Sequence, residues 1–172
     1  MQSAEQRRPA AVLIGPPGSG KTTIGTLLAG HLGVGFRDTD ADVEAVAGKP
    51  VSDVFVEDGE ARFRELEAAA VRAALEEHDG VLSLGGGAIL DESTQEALAA
   101  HQVVYLQVKL DQAVRRVGLA SARPLLVLNP RSQLRKLMEE RRPIYERLAK
   151  VIVVTDEREP ADIVAEIVKG LA

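Results

Sequence analysis

Gly15-Pro16-Pro17-Gly18-Ser19-Gly20-Lys21-Thr22 is a complete G-x-x-x-x-G-K-T phosphate-binding loop with suitable flanks. Residues 10–14, which precede it, are apolar and β-prone, and residues 21–32, which follow it, carry apolar side chains at helical spacing. Glycines let successive N–H groups point at phosphate oxygens, and a helix N-terminus adds a partial positive charge. The stretch therefore predicts binding of a nucleoside triphosphate.

Two side chains of this loop have predicted chemical roles. Lys21 can reach the β- and γ-phosphates, and the hydroxyl of Thr22 is suited to ligate Mg²⁺. The residues expected around the phosphates of ATP are Pro17, Gly18, Ser19, Gly20, Lys21, Thr22 and Thr23.

Composition restricts the classes of protein that the chain can belong to. With 172 residues, of which 45% are hydrophobic, it is long enough for one domain with a sizeable core. A net charge of −5 argues against a general nucleic-acid or membrane-surface binder. The chain has no cysteine and no apolar run long enough to span a membrane. We expect a cytoplasmic, monomeric protein with a single domain over residues 1–172.

Strand-like and helix-like segments alternate along the chain. The predicted strands are residues 10–14, 34–39, 81–84, 103–106 and 151–154. The predicted helices are residues 21–32, 41–47, 51–57, 60–78, 91–100, 111–118, 132–148 and 160–171. Alternation of this kind predicts an α/β fold in which helices cover both faces of a five-stranded parallel sheet.

Residues 121–130 interrupt this alternation with two prolines, one arginine and four consecutive apolar residues. One interpretation is a hydrophobic loop packed on the surface. The other is a lid over the bound nucleotide, spanning about residues 119–131, with Arg123 directed at the transferred phosphoryl group. The upstream phosphate-binding loop favours the lid.

The magnesium-binding acid has to be sought away from its usual position. In many proteins with such a loop, a later strand (the Walker-B strand) ends in an aspartate, but the strand at residues 81–84 offers Ser83 and no carboxylate. The chain also has no Asn-Lys-x-Asp, the tetrapeptide with which G-proteins recognise guanine. Asp38 and Asp40 lie at the carboxyl end of the second predicted strand, where ligands of open α/β sheets bind. Asp38 could hold Mg²⁺ directly or through water while Asp40 faces the acceptor. A pair that only caps the loop is the alternative.

Three consecutive glycines, Gly85 to Gly87, end the third predicted strand. They remove side chains at a place where something must approach the backbone closely, although a plain tight turn has the same composition. The arginines at positions 64, 141 and 142 would, taken alone, be solvated charges on helices.

Six sequence motifs in register resemble those of shikimate kinases, from about residue 11 to residue 171. They are the phosphate-binding loop, Asp38-Thr39-Asp40, Phe63-Arg64-x-x-Glu67, Leu84-Gly85-Gly86-Gly87, Arg123-Pro124-Leu125 and Arg141-x-Pro143-x-Tyr145. The resemblance implies a three-layer P-loop fold with strand order 2-3-1-4-5 and a mobile lid. It also implies Mg-ATP-dependent phosphorylation of the shikimate 3-hydroxyl.

The resemblance also implies roles for particular residues. Arg64 and Arg141 would clamp the shikimate carboxylate, Glu67 would orient Arg64, and Asp40 would be the base at the acceptor hydroxyl. The shikimate-binding region would span about residues 40–67, and Gly85, Gly86 and Gly87 would line the pocket with backbone. Arg123 would be the lid arginine, and Arg116, Arg158 and Pro160 would lie around the adenine of ATP.

Two other functions are possible for such a chain. A gluconate kinase shares the fold and the type of reaction, but we would expect it to lack the Asp-Thr-Asp, Phe-Arg and Gly-Gly-Gly motifs. A non-catalytic nucleotide-binding regulator would not need the intact set of Lys21, Asp40 and Arg123.

Overall fold

Five parallel strands form one sheet in a computed structural model that describes residues 9–118 and 130–171. The strands are β1 (Ala11–Ile14), β2 (Phe36–Asp38), β3 (Val81–Ser83), β4 (Val103–Gln107) and β5 (Val151–Val154). Their order is β2-β3-β1-β4-β5, and every neighbouring pair is parallel. The strand number, direction and order expected from the sequence are confirmed.

Helices connect successive strands. They are α1 (Lys21–Leu32), α2 (Thr39–Ala47), α3 (Val51–Asp53), α4 (Glu60–Glu77), α5 (Glu92–Leu98), α6 (Leu110–Gly118), α7 (Pro130–Leu148) and α8 (Pro160–Leu171). A π-helical turn, Val54–Asp58, continues α3, and a 3₁₀ turn, Ala88–Leu90, follows the glycines after β3. The proposed lid, including Arg123, falls mainly on residues 119–129, outside the described residues.

Two boundaries around β2 differ from the sequence-based expectation. The strand begins at Phe36 instead of residue 34, because the N–H of Val34 closes the end of α1 by bonding to the carbonyl of Ala29 at 2.9 Å. Helix α2 begins at Thr39 instead of residue 41, because the Asp38 carboxylate accepts the N–H of Asp40 and caps it. The strand predicted over residues 34–39 therefore ends at Asp38, and Thr39 and Asp40 form the first turn of α2.

Side chains of β1 alternate between two hydrophobic clusters, one on each face of the sheet. Val12 and Ile14 belong to the cluster that includes residues of α4, α5 and α7, whereas Ala11 and Leu13 belong to the cluster formed with α1 and α8. Burial of both faces explains why this strand is apolar throughout. In the described part of the chain, no helix has the length and apolar content needed to cross a membrane.

Candidate active site

A cavity of about 460 Å³ lies at the carboxyl edge of the sheet, where the ends of β1, β2 and β3 meet. Its walls come from the phosphate-binding loop, the start of α1, the turn into α2, the end of β3 and α6. The lining residues are Pro17, Gly18, Gly20, Lys21, Thr22, Thr23, Asp38, Asp40, Ser83, Leu84, Gly85, Gly86, Arg116 and Val117. Residues far apart in sequence therefore share one site, as expected for an open parallel sheet.

The phosphate-binding loop leads directly into α1. Gly20 precedes the helix with φ 95°, a left-handed conformation that favours glycine. The Nζ of Lys21 donates to the carbonyl of Gly15 at 2.6 Å and to that of Pro16 at 3.1 Å, so the ammonium group lies within the curve of the loop. Thr22 follows in the first turn of α1 and lines the cavity.

Arg116 connects α6 to this loop and to the end of β5. Its Nη1 donates to the carbonyl of Gly18 at 2.9 Å, and its Nη2 donates to the carbonyl of Thr155 at 3.1 Å. The predicted ATP residue Arg116 is thus at the cavity. Arg158 and Pro160 are not among the residues that line it, and Arg158 instead contacts the carbonyl of Val154 and the carboxylate of Glu166.

Asp38 and Asp40 both line the cavity, one at the end of β2 and the other in the first turn of α2. The carboxylate of Asp38 also caps α2 through a 2.9 Å bond from the N–H of Asp40. Since a carboxylate has two oxygens with about four acceptor positions, capping does not preclude metal ligation. The side chain of Thr39 between them is buried and accepts the N–H of Gly85 at 3.4 Å.

The glycine run after β3 is where the predicted acceptor residues meet. A Cβ placed on Gly85 would lie 2.7 Å from Oδ1 of Asp40 and 2.9 Å from Oε2 of Glu67. At Gly87 it would lie 2.5 Å from Nη1 of Arg64, and at Gly86 it would lie 3.4 Å from Nη1 of Arg141. The structure thus brings four charged side chains from α2, α4 and α7 against three glycines.

Arg64 is held on α4 by charged and aromatic neighbours. Its Nη1 contacts Oε1 of the buried Glu67 at 2.8 Å, and its guanidinium lies 5.2 Å from the centroid of the Phe63 ring and 5.9 Å from that of Phe55. The orienting role expected for Glu67 agrees with this contact. Burial raises the pKa of the Glu67 carboxyl above its usual range, and Arg64 opposes that shift.

Arg141 lies on α7 next to a buried tyrosine. The hydroxyl of Tyr145 donates to the carbonyl of Gly86 at 2.6 Å, and its ring stacks on Tyr105 at a centroid distance of 5.0 Å. Burial is the main cause that raises the pKa of Tyr145 to about 12, while Arg141 opposes it. The phenol therefore stays protonated at neutral pH and remains a hydrogen-bond donor to the wall of the site.

Sequence reasoning assigned no role to several residues that support this site. Phe55, in the π-helical turn, packs against Phe63 at 4.6 Å and lies under Arg64. Thr39 and Tyr145 were visible only as parts of motifs, and Thr155 was not identified at all. A buried threonine or tyrosine has no local pattern that predicts a partner far along the chain.

The chain is similar in sequence to proteins of one family. A family model described as "Shikimate kinase" matches residues 17–172. A shikimate kinase from Salinispora arenicola is 57% identical over 164 residues, covering 95% of this chain and 98% of the relative. A shikimate kinase from Thermobifida fusca is 56% identical over 164 residues, covering 95% of both.

Solved structures give the same family likeness. A shikimate kinase from Acinetobacter baumannii, determined in complex with shikimate, matches with a TM-score of 0.90 and 33% identity over 98% of this chain and 94% of that one. A gluconokinase from Sinorhizobium meliloti matches with a TM-score of 0.57 and 20% identity over 94% and 90% of the two chains, a likeness of fold alone.

Proposed function

This chain belongs to the shikimate kinase family, and we propose that the cavity at the carboxyl edge of its sheet is where it transfers the γ-phosphoryl group of ATP to the 3-hydroxyl of shikimate. The observation that carries this assignment is the meeting of Asp40, Arg64 and Arg141 at the glycine run beside the phosphate-binding loop. Two guanidinium groups there suit a carboxylate, and the nearby carboxylate of Asp40 suits a hydroxyl.

The proposed division of labour follows from the elements that carry each side chain. Lys21 would offset charge on the β- and γ-phosphates, because it directly follows the glycines of the loop whose N–H groups would bind them. Asp40 would orient the acceptor hydroxyl and receive its proton, since it lines the cavity and approaches the Gly85 backbone. Arg123 would approach the transferred group from the lid.

The donor atoms around the nucleotide site suit Mg²⁺. The Thr22 hydroxyl and the Asp38 carboxylate line the same cavity, and Mg²⁺ prefers hard oxygen ligands from one or two side chains together with substrate phosphates. Over residues 9–118 and 130–171, no group of three or more His, Cys, Asp or Glu side chains could hold a metal by itself. When bound, Mg²⁺ would neutralise phosphate charge between Thr22 and Asp38.

The two alternative functions have less support. The gluconokinase likeness concerns only the fold, and the closeness of Asp40, Arg64 and Arg141 to the Gly85–Gly87 run supports an acceptor that carries a carboxylate. A non-catalytic regulator would not need Lys21 and Asp40 together in the lining of one cavity. We also propose that the protein is a cytoplasmic monomer. Gel filtration of the purified protein tests the oligomeric state.

The decisive experiment measures ADP release in the presence of shikimate, of gluconate, and of no acceptor. We expect rapid release with shikimate and only slow background release in the other two reactions. Equal release of ADP with gluconate would contradict shikimate as the specific acceptor and would favour a gluconate kinase. Tight ATP binding without acceptor-dependent release would support the regulator.

A further inference from the structure

Beyond the residues expected to touch ATP or shikimate, we propose that Thr155 is a positioning residue that sets the orientation of the phosphate-binding loop. Thr155 directly follows β5, and its side-chain oxygen lies 3.0 Å from the carbonyl oxygen of Ser19, across 136 positions of sequence. Thr155 is 2% exposed and Ser19 is fully buried, so water does not compete for this contact. The proposal rests on the proposed function, because it concerns how the same site holds ATP.

The neighbours of the Thr155 hydroxyl determine which way its proton points. Arg116 Nη1 lies 3.3 Å from Oγ1, and a guanidinium can only donate, so the hydroxyl oxygen accepts there. The single hydroxyl proton is then left for a carbonyl. The carbonyl of Ser19 at 3.0 Å is closer than that of Gln107 at 3.5 Å. A directed chain therefore runs from Arg116 through Thr155 to the loop.

This chain of hydrogen bonds has a consequence on the ligand side of the loop. In a trans peptide, the C=O and the following N–H point in opposite directions. Since the carbonyl of Ser19 points at Thr155, the N–H of Gly20 points away from Thr155. Gly20 lines the cavity at the start of α1, where backbone N–H groups bind phosphate. One hydroxyl just after β5 thus fixes the direction of an N–H group that can donate to a phosphate oxygen.

The anchor of this arrangement is the sheet itself. The N–H of Thr155 bonds to the carbonyl of Gln107 at 2.9 Å and so extends the pairing of β5 with β4. Arg116 Nη1 also donates to the carbonyl of Gly18, the residue before Ser19. Two successive carbonyls of the loop are therefore held from outside, one by Arg116 and the other by Thr155.

The experiment compares Thr155→Val, Thr155→Ala and Thr155→Ser in the full chain. Calorimetry measures binding of ADP and, separately, of shikimate, and steady-state assays give KM for ATP and kcat. We expect the valine and alanine variants to bind ADP about tenfold more weakly, because one hydrogen bond is lost and the Ser19 carbonyl is left buried without it. Binding of shikimate should stay within about twofold, since Thr155 bonds to Ser19, Gln107 and Arg116, none of which is proposed to hold shikimate.

Thr155→Ser is expected to bind ADP within about twofold of the unaltered chain, because it keeps the hydroxyl and loses only a methyl group. Serine and alanine at this position differ by the hydroxyl alone, so their comparison decides the question even where the valine variant does not fold. Equal ADP affinities of the serine and alanine variants, or an alanine variant within twofold of the unaltered chain, would overturn the proposal.

Thr94→Ala supplies the matched control. Thr94 is 1% exposed, and its hydroxyl contacts Oδ2 of Asp91 at 3.2 Å at the start of α5. We expect this variant to lower the thermal midpoint without weakening ADP binding. An equal loss of ADP affinity in this variant would reduce Thr155 to a general structural role. Because ADP binding needs no acceptor, the result stands apart from the shikimate assay that tests the function itself.

Discussion

Lys21 illustrates how much depends on one charge at the scale of a single residue. Its ammonium group is held by the carbonyls of Gly15 and Pro16 inside the curve of the loop. We predict that Lys21→Met lowers kcat by at least ~10²-fold, because a preorganised charge aimed at the phosphates is lost. ADP release with shikimate measures it, after thermal unfolding has shown the variant to be folded. Near-normal turnover would contradict the assigned role of Lys21.

Arg64 is the residue whose geometry, and not only its charge, should matter for binding of the acceptor. We predict that Arg64→Lys lowers kcat/KM for shikimate by roughly 10- to 100-fold, about 1.4 to 2.7 kcal/mol, although the net charge is unchanged. A lysine ammonium lacks the planar fork that contacts Glu67 and lies over the Phe55 and Phe63 rings. Binding of ADP should change by less than twofold, which calorimetry measures on the same preparation.

The methyl ester of shikimate gives an independent check of this clamp. It keeps the ring hydroxyls but removes the negative charge that Arg64 and Arg141 are proposed to hold. We expect kcat/KM for the ester to fall well below that for the acid. Equal use of ester and acid by the unaltered chain would show that no carboxylate is recognised.

Single residues were predictable only where a motif carried them. The phosphate-binding loop could be assigned from its own chemistry, but the roles of Arg64 and Arg141 came from resemblance, since a lone helical arginine is indistinguishable from a solvated charge. Thr155 could not be found from the sequence, because its partner Ser19 lies 136 positions away and neither residue has a diagnostic neighbour.

At the scale of elements, the glycine run after β3 shapes the proposed acceptor site. Gly87 has φ −98°, which any residue adopts, so the cost of a side chain there is steric. A Cβ would lie 2.5 and 2.6 Å from the two terminal nitrogens of Arg64 and would displace that flexible side chain. We predict that Gly87→Ala lowers kcat/KM for shikimate by at least ~10-fold, because small misplacements of a binding group are costly.

Gly30→Ala is the matched control for this prediction. Gly30 lies inside α1, and a Cβ built on it meets nothing within 4 Å beyond its chain neighbours and the backbone of its own helix. We expect normal shikimate kinetics and a gain of about 0.5–1 kcal/mol in the free energy of unfolding, since alanine favours a helix over glycine. A Gly87→Ala variant that behaves like this control would mean that Arg64 does not need its present position.

Elements were predicted better than their boundaries. Hydrophobic periodicity located all five strands, but it could not show that Val34 closes α1 or that Asp38 caps α2, because both effects are single hydrogen bonds. The segment predicted as one helix over residues 51–57 is a short α-helix that continues as a π-helical turn. That turn places Phe55 under Arg64, which propensity alone does not reveal.

For the whole molecule, the buried Glu67 makes stability depend on pH. Burial raises its pKa in the folded chain above the ordinary value of 4.5, so the folded state holds the proton more tightly than the unfolded state does. The contribution of protonated Glu67 to the free energy of unfolding is therefore fully present below pH 4.5, and it is lost as the pH rises through the raised pKa of the folded chain. We predict that the unfolding free energy falls over this window relative to that of Glu67→Gln, which urea titrations at several pH values measure.

Glu65→Gln corrects this comparison for the change in net charge. It removes one negative charge from an exposed position of the same helix, where the side chain is 69% exposed. The quantity compared is the difference in unfolding free energy between the unaltered chain and Glu67→Gln, corrected by the Glu65→Gln control. If this difference does not vary with pH, the assigned effect of burial is wrong.

The architecture of the whole molecule was predictable from two kinds of information. Alternating strand and helix patterns indicated a parallel sheet covered on both faces, and the alternation of Val12 and Leu13 between two clusters is its physical basis. The order of the strands needed the resemblance, because all the connections are compatible with several orders. The proposed lid over residues 119–131 stays a prediction.

The stacked tyrosines have a spectroscopic consequence. The chain contains no tryptophan and two tyrosines, so its ultraviolet emission arises almost entirely from Tyr105 and Tyr145. The hydroxyl of Tyr145 is bonded to the carbonyl of Gly86 in the wall of the proposed acceptor site. Any ligand that shifts this glycine changes the surroundings of half of the fluorophores. The unlabelled protein therefore carries its own optical reporter, with which acceptor binding can be titrated without dyes or coupled enzymes.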